Sequence, residues 1–307
     1  MANWNGITRE INMIIEKMRS EARQDSSMEP RRRDIHVLFQ TPLRLESLDF
    51  KKNKSNRICS VDMTDEDGNN IMNMDMSGGV LTIKVYEDTR TISDRREARR
   101  ESRRIAKDLV TFVLGFRSVF VERFAISMDF PDSEVRSYGK IKCDTMYAAG
   151  GDNIGKWLDH VDVRHIFVYN HACIDDRHSM EMVMKCSVVD MEDIRSGITD
   201  ALLMTFEGRW LELGPSQVTA NGINRFMKNM FRRRFTERFP DGDVWFSFPV
   251  GDFRVMDLLE GMRCRTEHEE DGNIACIPRI APHWTITRSY DLKMITFKLH
   301  DDDIYWE

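Results

Sequence analysis

The chain reads as an α/β protein, with a mainly parallel sheet of irregular βα units and a C-terminal antiparallel hairpin. Three observations predict this. Short apolar runs alternate with stretches of helical periodicity over most of the 307 residues, a pattern that favours right-handed βα units on a parallel sheet. Residues 208–235 give the unit in its clearest form. Trp210-Leu211-Glu212-Leu213 reads as a strand and Gly214-Pro215-Ser216 as a break, while Ile223, Phe226, Met227, Met230 and Phe231 form one buried helical stripe. Near the C-terminus the pattern changes. Two alternating runs, His283 to Arg288 and Met294 to Leu299, flank Ser289-Tyr290-Asp291 as the arms of a hairpin. The spacing of the units is irregular, roughly 20 to 45 residues, which excludes a regular repeat array.

Taken in order, residues 4–24 predict a helix with Ile7, Ile11, Ile14, Ile15 and Met18 on one face. Residues 1–60 as a whole read as this helix and a loosely structured extension, with one strand at Ile35-His36-Val37-Leu38-Phe39. An α/β domain follows over 61–307. The polar stretch 64–76 ends in the turn Ser77-Gly78-Gly79, and Val80 to Tyr86 alternates as a half-buried strand. Asp94 opens a long helix whose apolar stripe is Ile105, Leu109, Phe112, Val113 and Phe116. Strands are expected at 124–128, 143–148 and 164–169, with a short helix over 153–160, and a further strand at 182–189. Residues 190–206 predict a helix with Ile194, Ile198, Leu202 and Leu203 in register. After 208–235 come a strand at 244–248 and a helix capped by Asp252 and running to Met262. Ile304-Tyr305-Trp306 adds a short last strand.

Composition narrows the function. Hydrophobic content of 41% and charged content of 31% describe an ordinary globular chain. The net charge of −6 argues against a general nucleic-acid binder. No apolar run approaches the roughly 20 residues of a membrane span, and the N-terminus lacks a signal peptide's apolar core and cleavage site. Cys59, Cys143, Cys173, Cys186, Cys264 and Cys276 are scattered, as reduced thiols of an intracellular, cytoplasmic or nuclear, protein would be.

Catalytic and cofactor motifs are not found. There is no phosphate-binding glycine loop, dinucleotide fingerprint or nucleophile elbow. The aspartates at Asp65 and Asp67 resemble a calcium loop, but Met63 and Met74 occupy its first and last ligand positions. His160, His165, His171, His178 and Cys173 are a local cluster of soft ligands without metal-ligand spacing, and His165 lies inside an apolar strand. The 20 methionines sit largely at core-facing periods, where they fill gaps. No catalytic, metal or cofactor site is expected. Arg95, Arg96, Arg99, Arg100, Arg103 and Arg104 spread over a broad helix face and are the candidate basic interaction face. Asp94, Glu97 and Glu101 interleave with them, which favours a solvated outer face over a nucleic-acid site.

Within residues 190–262 the sequence resembles the F-box-associated domain expanded in nematode F-box proteins. The resemblance is carried by Met191-Glu192-Asp193-Ile194, by Trp210-Leu211-Glu212, and by Val218-Thr219-Ala220-Asn221-Gly222-Ile223-Asn224-Arg225-Phe226-Met227-Lys228. Val255-Met256-Asp257-Leu258-Leu259-Glu260-Gly261-Met262 is similar to the family's next βα step. Cys143-Asp144 with Gly150-Gly151-Asp152-Asn153-Ile154 resembles an upstream turn, and Trp284-Thr285-Ile286-Thr287-Arg288-Ser289 the closing hairpin strand. The resemblance implies a leucine-rich-repeat-like α/β fold and a non-enzymatic, protein-binding role: substrate recognition for a cullin-type ubiquitin ligase. An F-box would dock on a Skp-type adaptor. Thr41-Pro42-Leu43-Arg44-Leu45 echoes an F-box opening, but polar residues 51–60 follow where an apolar helix belongs. No F-box is evident, so adaptor and cullin are expected partners only if one is supplied. The alternative reading is an intracellular RNA- or phosphate-associated protein using the basic helix face.

Overall fold

The computed structural model describes residues 8–24, 42–53, 58–128, 140–149, 154–169, 173–236, 244–249, 255–262, 264–268, 274–278, 284–289 and 294–299. The expected strand at 35–39, the helix cap at Asp252 and the last strand at 304–306 lie outside these residues. Contacts divide the chain into two compact units, Met1–Arg164 and His165–Glu307.

The first unit contains α1 (Arg9–Gln24), β1 (Leu43–Asn53), β2 (Ile58–Asp65), β3 (Asn70–Ser77), β4 (Val80–Val85), β5 (Asp88–Ile92), α2 (Arg95–Leu114), β6 (Val119–Ile126), β7 (Ile141–Ala149) and α3 (Ile154–Leu158). Its strands lie in the order β7-β6-β1-β2-β3-β4-β5. β7, β6 and β1 are parallel, and every pairing from β1 to β5 is antiparallel. β1 therefore joins the two kinds of ladder, and it falls in the stretch read as extension.

The polar stretch 64–76 is the β2–β3 hairpin. Met72 and Met74 point inward between Asn73 and Asp75, and those polar outward residues disguised the alternation. The aspartates once compared with a calcium loop close this hairpin. Asp65 Oδ1 accepts from the backbone N–H groups of Asp67 and Asn69 at 3.0 and 2.8 Å, and Gly68 takes a φ of 79°. Helix α2 begins where Asp94 caps it, its side chain accepting from the Arg96 and Glu97 N–H groups. The expected stripe, Ile105, Leu109, Phe112 and Val113, is buried, as are Ile11, Ile14 and Ile15 of α1. Phe50, Phe124 and Trp157 meet with ring centroids 5.4 to 6.2 Å apart, and the Trp157 indole donates to the Met128 carbonyl at 2.9 Å.

Strand β8 (Val161–Tyr169) leads into the second unit. There follow β9 (Cys173–Ile174), α4 (Arg177–Val183), β10 (Val188–Met191), β11 (Arg195–Ser196), α5 (Asp200–Leu203), β12 (Trp210–Leu213), α6 (Ala220–Thr236), β13 (Val244–Pro249), α7 (Val255–Leu258), β14 (Cys264–His268), β15 (Ile274–Pro278), β16 (Trp284–Ser289) and β17 (Met294–Leu299). The sheet order is β8-β10-β12-β13-β17-β16-β15-β14, with β9 and β11 paired separately. β8, β10, β12 and β13 are parallel. From β13 through β17 to β14 every pairing is antiparallel, and the expected hairpin is β16–β17. The fold is thus α/β with mixed sheets, less dominated by parallel pairs than the βα alternation suggests.

Two further expectations are corrected here. Met182 and Val183 belong to α4, and the strand predicted over 182–189 is displaced to β10. The helix predicted over 190–206 is β10, a turn, β11 and the single turn of α5. Ile194 and Ile198 are buried from the connecting turns and Leu203 from α5, while Leu202 of the expected stripe is only half-buried. Gly197 sits at the centre of this stretch, against Met180, and Thr199 starts a new helix by accepting from the Leu202 N–H.

Candidate functional site

The parallel strands of the second unit bury one face and leave the other half open. On the buried face Ile166, Val168, Val189, Leu211, Leu213, Phe246 and Phe248 are fully enclosed. Phe226 of α6 packs there, its ring 5.1 Å from Phe246 and 6.1 Å from Phe248. Because side chains alternate along a strand, the residues between them share the opposite face. His165, Phe167, Tyr169, Asp190, Trp210, Glu212, Trp245 and Lys298 are all partly exposed there.

Strand register arranges these residues in two rows. His165, Val188, Trp210, Trp245 and Lys298 stand opposite one another in turn across β8, β10, β12, β13 and β17. One step along, Phe167, Asp190, Glu212, Ser247 and Thr296 do the same. In the first row the Trp210 and Trp245 rings stack at 5.3 Å and 13°, and the Lys298 ammonium lies 5.8 Å from the Trp245 centroid. In the second, Asp190 and Glu212 are directly cross-strand. The Tyr169 hydroxyl donates to Asp190 Oδ2 at 3.3 Å, and Tyr169 itself stacks on Phe167 at 6.5 Å.

Burial pushes the Glu212 carboxyl up to about 7, reinforced by the charges of Asp190 and Glu192; the indoles of Trp210 and Trp245 oppose the rise. The Trp245 Nε1 is sequestered from solvent and has no full hydrogen bond. The face can therefore offer flat aromatic surface beside carboxylates set close enough to repel. Sequence reading took Trp210 and Glu212 as strand residues and as part of the family resemblance, not as members of a site. The available signal was the outward aromatic of two consecutive strands, Trp210-x-Glu212 and Trp245-x-Ser247.

The six arginines of the predicted basic face all lie on α2. Arg95, Arg96, Arg100, Arg103 and Arg104 are exposed and Arg99 is half-buried. Glu101, itself nearly buried, pairs with Arg100 at 3.4 Å and Arg104 at 3.9 Å, so part of that charge is neutralised locally. Of the histidine cluster, His171 lies outside the described residues, and the other members fall on different elements. His160 follows α3, His165 is half-buried in β8, and His178 is exposed on α4. Desolvation lowers the His160 pKa, against the Asp159 charge. Among the described residues no group of three potential ligands could hold a metal ion.

The first unit has a shallow depression of about 410 Å³ lined by Arg44, Phe120, Lys142, Glu122, Asp144 and Asp162 among others. Arg44 and Lys142 flank the Phe120 ring at 5.2 and 5.5 Å, each from the neighbouring strand. Two of its cations already share an aromatic partner, Arg164 pairs with Asp144 at 3.7 Å, and acids alternate with them, so it favours neither sign of ligand. No described helix is long and apolar enough to cross a membrane. No family model, curated protein or solved structure matches the chain.

Proposed function

We propose that this chain is a non-enzymatic protein-binding module of the F-box-associated type, the substrate-recognition part of a cullin-type ubiquitin ligase receptor. Its docking surface is the half-open face of the second unit's sheet. One observation carries the reading: the Trp210–Trp245 stack is large, rigid aromatic area left partly in water. Tryptophans so placed are the side chains that most often dominate binding energy at protein interfaces. The resemblance within 190–262 supports the same reading. The parallel run β10, β12, β13, with α6 between its last two strands, supports the leucine-rich-repeat-like part of it.

Affinity purification of the full chain, wild type beside a Trp210→Ser/Trp245→Ser variant, tests it. The proposal expects a set of bound proteins that the variant loses while its circular dichroism stays native. An unchanged set would remove the docking role from this face. Recovery of a Skp-type adaptor or cullin would support the ligase link.

A second reading, an RNA or phosphate partner on α2, is favoured by the exposure of five of its six arginines. Complexes that dissociate on nuclease treatment, with steep salt dependence, would select it.

A further inference from the structure

We propose that the partner presents a lysine- or arginine-bearing segment to this face, its cation on the Asp190–Glu212 pair and its neighbouring side chains against the Trp210–Trp245 ladder. The inference rests on the docking face proposed above and names what occupies it.

Charge complementarity carries the argument. Asp190 and Glu212 face each other directly across β10 and β12, and like charges in that position destabilise a sheet. Among the described residues no lysine or arginine forms an ion pair with either one. The Tyr169 hydroxyl bonds one oxygen of Asp190, and the Lys298 ammonium lies over the Trp245 ring. Glu192 adds a third negative charge close enough to disfavour ionisation of Glu212. An incoming cation would relieve this repulsion and gain a charge-assisted hydrogen bond in a half-desolvated setting. The long stem of lysine or arginine lies well on aromatic surface, and the adjacent tryptophan stack supplies it. A segment carrying an acidic residue there would instead add a fourth like charge. The surface thus selects by attraction and by repulsion together.

The pH dependence follows from the charged or titratable groups that, among the described residues, register sets near Glu212: Asp190 and Glu192 from the β10 side, Tyr169 and His165 from β8, and Lys298 from β17, with β13 contributing Trp245 and Ser247. As Glu212 ionises with rising pH, a cationic segment binds more tightly.

The test screens the full chain against a positional-scanning library of synthetic extended peptides, with affinities of selected peptides measured by fluorescence anisotropy. The expected result is enrichment of lysine or arginine at one position next to apolar residues. Binding should tighten several-fold between roughly pH 6 and pH 8, and weaken about tenfold in Asp190→Asn/Glu212→Gln. Peptides that bind in a Trp210- and Trp245-dependent way without basic preference would overturn this inference and leave the docking face standing. Absence of any binding sensitive to Trp210→Ser/Trp245→Ser would overturn both. Sedimentation velocity covers the remaining occupant. A dimer that the Asp190→Asn/Glu212→Gln variant dissociates would assign the face to a second copy of this chain, and so refute a partner segment.

Discussion

Glu212 shows how much of the site resides in single side chains. Its carboxyl is held near 7, above the ordinary 4.5, so the folded state binds its proton more tightly than the unfolded state does. Below about pH 4.5 the residue is neutral in both states and costs nothing. The penalty grows as pH rises towards 7 and is constant above it. Glu212→Gln should therefore leave stability unchanged in acid and raise it at pH 8, by about 1 kcal/mol once half-exposure is allowed for. Urea unfolding at both pH values checks this, and an equal midpoint shift at each would refute it. Asn224 is the opposite case, a polar residue whose work is structural. It is 4% exposed, and its Nδ2 donates to the Leu258 and Glu260 carbonyls at 2.7 and 3.0 Å, tying α6 to the end of α7. Asn224→Leu would leave both carbonyls without that donor and should lower stability by about 2 kcal/mol, read as a drop in urea midpoint. Sequence reading met Asn224 only within the run 218–228 that carries the family resemblance. It could not see the carbonyls, 34 and 36 residues away.

Elements were legible wherever one period ran unbroken. The stripes of α2 and α6 and the alternation of β16 and β17 have little competing signal, and each formed. Residues 190–206 failed because burial at Ile194, Ile198 and Leu203 imitates helical spacing while Gly197 and the caps interrupt the backbone. β1 was obscured by Ser47 and Asp49, polar residues that are nonetheless buried, and β14 and β15 were not anticipated. The candidate face was harder still. It depends on which strands become neighbours and in what register, and those are long-range facts absent from local pattern. The start of α6 yields a prediction at this scale. Asp200 accepts from the Thr219 N–H and hydroxyl, both at 2.7 Å, while the Thr219 Oγ1 accepts from the Gly222 N–H at 3.0 Å. A Cβ on Gly222 would lie 2.0 Å from Asp200 Oδ1. Gly222→Ala should thus displace Asp200, break this cap and cost about 1–2 kcal/mol, despite alanine's better helix propensity. Adding Asp200→Ala should not double the loss, because both changes remove the same interaction. A thermal-melt double-mutant cycle that proves additive would reject the shared cap.

At the scale of the whole molecule, the net charge of −6 hides a strong local asymmetry. Five exposed arginines crowd one helix of the first unit, whereas Asp190 and Glu212 of the candidate face, which have no ion-pair partner among the described residues, belong to the second. If the protein acts by binding a basic segment, the arginine helix is a solvated outer face that contributes to solubility and not to recognition. The triple substitution Arg95→Glu/Arg99→Glu/Arg103→Glu should then leave peptide affinity within about twofold, while Asp190→Asn/Glu212→Gln weakens it about tenfold. The same pair of variants should separate the nucleic-acid reading. Labelled single-stranded RNA should show no tight binding to the wild-type chain at physiological salt, because Glu101 already draws on Arg100 and Arg104. RNA binding that falls steeply with salt and disappears in the arginine variant would instead move the function to the first unit. Filter binding across a salt series, run beside peptide anisotropy on the same preparations, decides between them.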